Sequence, residues 1–159
     1  MSLYLQGCDK PVKCAGCHNK ELQRIVKDEN PDMLIDTIIK ELEIEIEKYK
    51  DFYNTLYLSF LGGEPLSDNN SRITLEVSKY FKENYGGIVN VLYSWRDKEI
   101  IEENKEQYIK YMDYGVLGGF IEELKEENTI PSSSNQYIWD FNNKIKIDKI
   151  ILHNGGDID

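Results

Sequence analysis

The sequence predicts an α/β fold with mostly parallel strands, arranged as an incomplete and laterally open (β/α) barrel. Apolar runs of strand length alternate along the chain with segments of helical periodicity, which is the order of βαβ units with right-handed crossovers. Two short motifs follow predicted strands, at the strand ends where such sheets bind ligands. The 159 residues contain about five candidate strands, too few for an eight-unit barrel of typically about 250 residues. We therefore expect one domain over residues 1–159.

The first part of the chain contains a strand signal and a strong helix signal. Ser2 to Gly7 is a short apolar strand that leads into a cysteine-rich loop, and Asn19 to Val26 follows as a short helix. Asn30 is typical of an N-cap, and Pro31 is typical of a first helical residue. The run Glu41 to Glu47 alternates like a strand, but the cap and a longer apolar stripe favour a helix. That stripe consists of Leu34, Ile35, Ile38, Ile39, Leu42 and Ile46.

The rest of the chain continues the alternation of strands and helices. Apolar runs predict strands at Thr55 to Leu61, Ile88 to Tyr93, Tyr114 to Phe120 and Ile145 to Leu152. Helical periodicity predicts helices at Ser71 to Tyr85 and Lys98 to Met112. Gly86 and Gly87 are the stop signal of the first of these two helices.

Composition excludes several classes of function. The formal net charge is −10 and the pI is near 4.7, whereas binding to a nucleic-acid backbone requires clusters of Lys and Arg. Acidic residues concentrate in Glu41 to Glu47 and Glu122 to Glu127, which we interpret as solvated faces. No apolar run approaches the roughly 20 residues of a membrane span, and no secretory signal is visible. We expect a cytoplasmic protein that binds neither nucleic acid nor membrane, in a compartment where thiols stay reduced.

All three cysteines lie within one short stretch, at Cys8, Cys14 and Cys17. Three thiols cannot all pair into disulfides, and their crowding indicates a shared inorganic partner. Closely spaced Cys thiolates are the ligands of iron–sulfur clusters. With three such ligands, a four-iron cluster keeps one iron without a protein ligand, and chemistry can occur there.

Two other interpretations of the cysteines stay open at this point. Cys8, Cys14, Cys17 and His18 could form a structural Cys₃His zinc site, although adjacent residues rarely both reach one tetrahedral metal. The cysteines could also be unligated and packed as small hydrophobes.

A second motif follows the strand Thr55 to Leu61 and consists of Gly62, Gly63, Glu64 and Pro65. Paired glycines let the backbone approach a ligand without interference from a Cβ atom, and Pro65 fixes the exit of the turn. Alone, this motif is equally typical of an ordinary strand-to-helix turn. Both motifs are predicted at the carboxyl ends of parallel strands, which places them at one shared site.

Together, the two motifs resemble the radical S-adenosylmethionine (SAM) superfamily. Within it, Leu5 to Cys8, Cys14 to Asn19 and Gly62 to Leu66 are similar to the family of activating proteins of anaerobic ribonucleotide reductase. The similarity continues through Tyr93-Ser94 and Asp113 to Leu124. It includes a serine-rich stretch from Ser132 to Gln136, which distinguishes this family from other small radical SAM enzymes. The resemblance extends from about residue 2 to residue 141, and the segment that usually precedes it is expected to be absent.

The resemblance implies a radical SAM barrel that holds a 4Fe-4S cluster on Cys8, Cys14 and Cys17. The open iron would bind the methionine part of SAM, and the backbone of Gly62 and Gly63 would meet its amine. Glu64 and Pro65 would shape that loop. Gly16, Cys17, His18 and Ser94 would lie against the nucleoside.

The resemblance also implies the reaction and the partners. One electron, from a donor such as flavodoxin or ferredoxin, would cleave SAM to methionine and a 5′-deoxyadenosyl radical. That radical would take a hydrogen atom from a glycine in the large subunit of anaerobic ribonucleotide reductase. The protein would then be an oxidoreductase with no catalytic side chain beyond the cluster and SAM, since the cofactors supply the chemistry.

The sequence departs from this family pattern at two places. The gap between Cys8 and Cys14 holds five residues where the family has three, and Trp95-Arg96 stands where the family has a small residue. Two rival functions therefore stay open. One is another small radical SAM enzyme, either a different glycyl-radical activase or a modifier of a small molecule. The other is a non-catalytic protein that binds a cluster or zinc.

Overall fold

A computed structural model describes residues 1–27 and 30–152. Its strands are β1 Ser2–Leu5, β2 Leu56–Gly62, β3 Ile88–Ser94, β4 Tyr114–Leu117, β5 Thr129–Ile130, β6 Tyr137–Asp140, β7 Ile145–Ile147 and β8 Ile150–Ile151. Its helices are α1 Pro31–Tyr49, α2 Ser71–Asn84 and α3 Lys98–Asn104, with single 3₁₀ turns at Lys20–Leu22, Glu106–Tyr108 and Glu122–Leu124. His153, which the following Asn154-Gly155-Gly156 predicts to be a polar turn residue, lies outside the described residues.

The central sheet has six strands in the order β1-β2-β3-β4-β6-β7. The first four strands are parallel, with Ser2 opposite Ser59, Leu56 opposite Ile88 and Val91 opposite Tyr114. Strands β6 and β7 are antiparallel to their neighbours, and β5 and β8 form a separate antiparallel pair. The predicted α/β class and the mostly parallel central sheet are confirmed. The incomplete, laterally open radical SAM barrel stays a prediction.

Helix α1 begins where the sequence predicted it. The side chain of Asn30 accepts a hydrogen bond of 3.2 Å from the N–H of Met33, and Pro31 is the first helical residue. The helix continues through the alternating glutamates because its apolar stripe packs on the core, with Ile35, Leu42 and Ile46 buried. Among the described residues, no helix has both the length and the apolar character needed to cross a membrane.

The core lies between the helices and one face of the sheet. Alternate residues of β2 and β3 point into it, and Leu58, Phe60 and Leu92 are fully buried there against Val77 and Phe81 of α2. The opposite face of the sheet lines a cavity of about 400 Å³. Tyr57, Tyr93 and Tyr114 contribute to one wall of this cavity, and Ile130 and Ile150 of the β5–β8 pair contribute to another.

Three predicted elements are shorter than the sequence suggested. The helix predicted over Lys98 to Met112 ends at Asn104, where Lys105 leaves the helical region with φ of −134°, and only a 3₁₀ turn follows. The helix predicted over Asn19 to Val26 is a single 3₁₀ turn, Lys20–Leu22. None of these three residues is buried, so no core contact stabilises a longer helix there. The strand predicted from Tyr114 to Phe120 ends at Leu117, since Gly118 turns the chain with φ of +98°.

The C-terminal part differs most from the prediction. Strands β5 and β6 were not predicted, and the single strand expected over Ile145 to Leu152 is two short strands, neither of which is parallel to its neighbour. A tight turn after β6 reverses the chain, because the Asp140 carboxylate accepts hydrogen bonds of 2.9 Å from the N–H groups of Asn142 and Asn143. Lys144 follows with φ of +55°. Asp-Phe-Asn-Asn-Lys is a turn signal that could have predicted this hairpin.

Candidate functional site

The loop that carries the cysteines begins at the carboxyl end of β1. The N–H of Gly7 donates to the carbonyl of Leu22 at 2.7 Å, and the N–H of Cys8 donates to Gln23 at 3.1 Å. The chain after the cysteines therefore returns alongside the chain before them. All three cysteines are partly exposed and none forms a disulfide. Burial raises the pKa of the Cys8 thiol, against the opposing effects of the Lys10 N–H and the Lys13 ammonium.

The second and third cysteines share one tight turn. The N–H of Cys17 donates to the carbonyl of Cys14 at 3.3 Å, and Gly16 within the turn has φ of +67°. A positive φ at this place favours glycine. The segment that follows β4 covers the turn: a Cβ on Gly16 would collide with the Glu122 carboxylate, and Gly119 lies near the Cys14 sulfur. The His18 ring lies 4.7 Å from the Phe120 ring.

The long gap between Cys8 and Cys14 is folded into a compact loop. The Lys13 ammonium donates hydrogen bonds to the backbone carbonyls of Cys8 and Lys10, and the Lys10 ammonium donates to the carbonyl of Val12 at 3.0 Å. Surface loops accept extra residues at low entropic cost. Here the side chains of Lys10 and Lys13 also donate hydrogen bonds to backbone carbonyls of the longer loop.

The glycine motif lies directly against this cysteine loop. The N–H of Gly63 donates to the carbonyl of Leu5, and the N–H of Glu64 donates to that of Gly7, both at 2.7 Å. A Cβ on Gly62 would lie 2.6 Å from the Leu5 nitrogen, and a Cβ on Gly63 would collide with the Gly7 carbonyl. The glycines were expected to leave room for a ligand, but protein backbone occupies the space that their side chains would fill.

Glu64 is the buried centre of the contacts between the strand ends, with 1% of its surface exposed. Its carboxylate accepts hydrogen bonds from the N–H of Leu66 at 2.9 Å, from the Ser94 hydroxyl at 2.9 Å and from the N–H of Trp95 at 3.1 Å. Nη1 of Arg96 lies 3.1 Å from the same carboxylate. Burial raises the pKa of Glu64, and the Arg96 guanidinium and the donors oppose that shift.

The serine-rich stretch closes the site from the end of β4. The Gln136 amide donates to the carbonyl of Gly118 at 2.8 Å, and the Asn135 amide donates to that of Gly119 at 2.7 Å. The Ser133 hydroxyl, which is buried, donates to Gln136 at 2.9 Å. The side chains of this stretch therefore hold Gly118 and Gly119, and Gly119 lies against Lys10 and Cys14 of the cysteine loop.

The residues predicted for the site lie at one edge of the sheet. Cys8, Cys14, Cys17, Gly16 and His18 form the first loop, Gly62 to Pro65 form the second, and Ser94 joins the second loop to the end of β3. Within residues 1–27 and 30–152, no three His, Cys, Asp or Glu side chains are grouped to hold one metal ion. A single-ion zinc site therefore has no preformed ligand set there. A cluster does not require such convergence, because each thiolate binds a different iron.

Sequence reasoning missed two polar residues that hold the loops together. The amide of the buried Asn70 donates to the carbonyls of Gln6 at 2.9 Å and Glu64 at 3.0 Å, and so joins the two loops. Arg96 contacts both Glu64 and Asp9. A polar residue at the start of α2 would ordinarily be interpreted as a cap, so the sequence carried no signal for Asn70. The departure at Trp95-Arg96 was a signal for Arg96.

Comparison with known proteins agrees with the cysteine loop as a cluster site. The searches of curated proteins and of solved structures found no match. The family described as "4Fe-4S single cluster domain" matches residues 1–139, which include all three cysteines and the Gly62 to Pro65 loop. The chain therefore belongs to the 4Fe-4S single cluster domain family and is an iron–sulfur protein.

Proposed function

We propose that this protein is a radical SAM activase that generates a glycyl radical on the large subunit of anaerobic (class III) ribonucleotide reductase. The observation that carries the proposal is the direct contact between the cysteine loop and the Gly62 to Pro65 loop at one edge of the sheet. Membership in the 4Fe-4S family supports the cluster. The resemblance of the Ser132 to Gln136 stretch supports the choice of reductase, and its bonds to Gly118 and Gly119 give that stretch a place beside the site.

Cys8, Cys14 and Cys17 would hold the 4Fe-4S cluster. They are the chain's entire set of cysteines, their thiols are free and partly exposed, and soft thiolates are the ligands that such clusters use. Three ligands would leave one iron of the cluster free to bind SAM.

The backbone carbonyl oxygens of Gly62 and Gly63 would bind the amine of the methionine part of SAM. An amine donates hydrogen bonds, and the N–H groups of Gly63 and Glu64 already donate to Leu5 and Gly7. The Thr74 hydroxyl fixes the loop further, since it donates to the carbonyl of Pro65 at 2.8 Å. Because the loop is held before any ligand arrives, little ordering would be needed on binding.

The nucleoside of SAM would lie against Gly16, Cys17 and His18. The rings of His18 and Phe120 pack together beside Cys17 and offer an aromatic surface to a purine. The Ser94 hydroxyl is buried and donates to Glu64. We therefore expect Ser94 to act on the nucleoside only through the Glu64 loop.

A bound cluster and SAM would supply one-electron cleavage of the sulfonium bond to methionine and a 5′-deoxyadenosyl radical, which is able to take a hydrogen atom from a glycine. The chain's own residues would bind and orient the reactants and exclude competing reactions. No side chain has to transfer a proton in this scheme. The electron would come from a small electron-transfer protein such as flavodoxin or ferredoxin.

The test begins with anaerobic reconstitution of the full chain, followed by iron and acid-labile sulfide assays. SAM and dithionite are then added, and methionine and 5′-deoxyadenosine are measured. Addition of the cognate large subunit should give a glycyl-radical EPR signal on that subunit. The matched control is Cys8→Ala, which should lose iron and SAM cleavage together.

Each rival function gives a different result in the same experiment. SAM cleavage without a glycyl-radical signal would refute the activase and favour another small radical SAM enzyme. Bound cluster without SAM cleavage, or bound zinc in place of iron, would favour a non-catalytic protein.

A further inference from the structure

Arg96 holds two carboxylates of two different loops at once. Its Nη2 lies 2.6 Å from Oδ2 of Asp9, and its Nη1 lies 3.1 Å from Oε1 of Glu64. Only 7% of the Arg96 side chain is exposed. Nη2 donates a hydrogen bond to Asp9, whereas Nη1 makes no hydrogen bond and faces Glu64 as a nearby positive charge. We call Asp9, Arg96 and Glu64 the Arg96 bridge.

Trp95 strengthens the bridge from the neighbouring position. Its indole N–H donates to Oδ1 of Asp9 at 3.2 Å, while Nη2 of Arg96 occupies the other oxygen of that carboxylate. The guanidinium carbon of Arg96 lies 4.5 Å from the centre of the Trp95 ring. The two departures from the family pattern therefore meet, since Asp9 belongs to the lengthened cysteine gap and Trp95-Arg96 is the unusual pair after β3.

The Arg96 bridge connects Cys8, the first proposed cluster ligand, to the Gly62 to Pro65 loop. Asp9 directly follows Cys8, and Glu64 is part of the Gly62 to Pro65 loop. Glu64 is fully enclosed and has no other cationic partner among the ion pairs of the described residues. Asp9 is more accessible, with 27% of its side chain exposed. Arg96 thus connects the partly exposed, lengthened cysteine loop to the buried Glu64 of the Gly62 to Pro65 loop.

We propose that Arg96 is a positioning residue that fixes Cys8 relative to the SAM-binding loop by holding Asp9 and Glu64 together. The proposal rests on the proposed function for the identity of the ligand. The lengthened gap gives the loop that carries Cys8 more conformational freedom. The Arg96 bridge restricts that freedom. Arg96 itself touches neither cluster nor SAM in this scheme and acts through Asp9 and Glu64.

The decisive variant is Asp9→Asn, because it removes one charge of the bridge at a partly exposed position and leaves the Arg96–Glu64 pair intact. Arg96→Met is the stronger variant, but it leaves Glu64 buried without a cation and could fail to fold. Arg96→Lys keeps the charge but has no fork to reach both carboxylates. The matched control is Asp32→Asn, which breaks the exposed ion pair between Asp32 and Arg72.

The measurements are the iron content, the EPR spectrum of the reduced cluster with and without SAM, and SAM affinity by calorimetry under anaerobic conditions. We expect Asp9→Asn to fold and to bind iron, to shift or broaden the EPR spectrum, and to weaken SAM binding about three- to tenfold. Arg96→Lys should behave like Asp9→Asn, and the double variant should be no worse than either single one. Asp32→Asn should match the unmodified protein throughout.

An unchanged EPR spectrum and unchanged SAM affinity in Asp9→Asn would overturn the proposal. A loss of iron equal to that of Cys8→Ala would also overturn the proposal. Asp9 would then be required for cluster binding itself, and not only for the position of Cys8 relative to the Gly62 to Pro65 loop. If the unmodified protein binds a cluster but no SAM, the proposed function fails. The Arg96 proposal is then decided by the EPR spectrum of the cluster alone.

Discussion

Gly63→Ala tests whether the contact between the two loops holds the site together. A Cβ at Gly63 would lie 2.7 Å from the carbonyl oxygen of Leu22 and closer still to the carbonyl of Gly7, whereas real Cβ atoms essentially never approach another atom within 3.0 Å. Both obstacles are backbone, so no side chain can rotate away. The loop that carries Cys8 must therefore move away from the Gly63 loop.

The size of the effect follows from that geometry. Forced overpacking costs about 1–3 kcal/mol in the free energy of unfolding. With a urea m value of about 2 kcal/mol/M, the unfolding midpoint should fall by roughly 0.5–1.5 M. The displacement also moves Cys8, so the iron content after reconstitution should fall. The sequence alone predicts that Gly63→Val weakens SAM binding at unchanged iron content, whereas these backbone contacts predict a loss of iron as well.

The assay compares urea unfolding and iron content with those of Gly86→Ala. Gly86 has no neighbouring atom within 4 Å of the position of an added Cβ, so this control changes the same residue type at an open position. Gly63→Ala with the midpoint and iron content of Gly86→Ala would refute the reasoning.

Three further predictions concern the cluster, the loop contacts and alkaline pH. Cys8→Ala, like Ala at either of the other two cysteines, should leave a folded chain that holds less iron and cleaves no SAM; full iron in any of them would contradict the three-ligand assignment. Asn70→Ala should lower the free energy of unfolding by about 1–3 kcal/mol, because buried carbonyls lose their donor; the exposed Asn84→Ala is the control, and an equal urea midpoint for both would count against Asn70 as a loop connector. Burial and the nearby Glu43 raise the pKa of Tyr85 to about 12. The folded state then holds this proton more tightly than the unfolded state, so stability should fall as pH rises from about 10 through about 12. The measurement is the urea midpoint from about pH 10 to about pH 12, which should fall less steeply in Tyr85→Phe than in the unmodified protein. An equal slope in the two proteins would refute this role of Tyr85.

The sequence was most informative where local signals and topology agree. The cap at Asn30 and the apolar stripe after it predicted α1 despite the alternating glutamates. The placement of the cysteine and glycine motifs at one sheet edge followed from the rule that parallel strands share their carboxyl ends, and the hydrogen bonds between the two loops confirm that they are neighbours.

The sequence was least informative where contacts join distant segments. The ion pair of Asp9 and Arg96 spans 87 positions, and no periodicity or local motif reveals a partner that far away. The antiparallel β6 was missed for a different reason. It contains only four residues, and such a short apolar run carries little signal beside a serine-rich stretch.

The covering of the cysteine turn by the segment after β4 has a consequence for how the protein is made. Cys14 and Cys17 leave the ribosome about a hundred residues before Gly119 and Glu122, which lie against their turn. At synthesis rates of about 5–20 residues per second, the cysteines spend roughly 5–20 s without that support. During this interval they are thiols on an unfolded chain, open to oxidation or to capture by a competing metal. Iron and sulfide delivered within this interval would therefore meet cysteines that still lack the cover of the segment after β4.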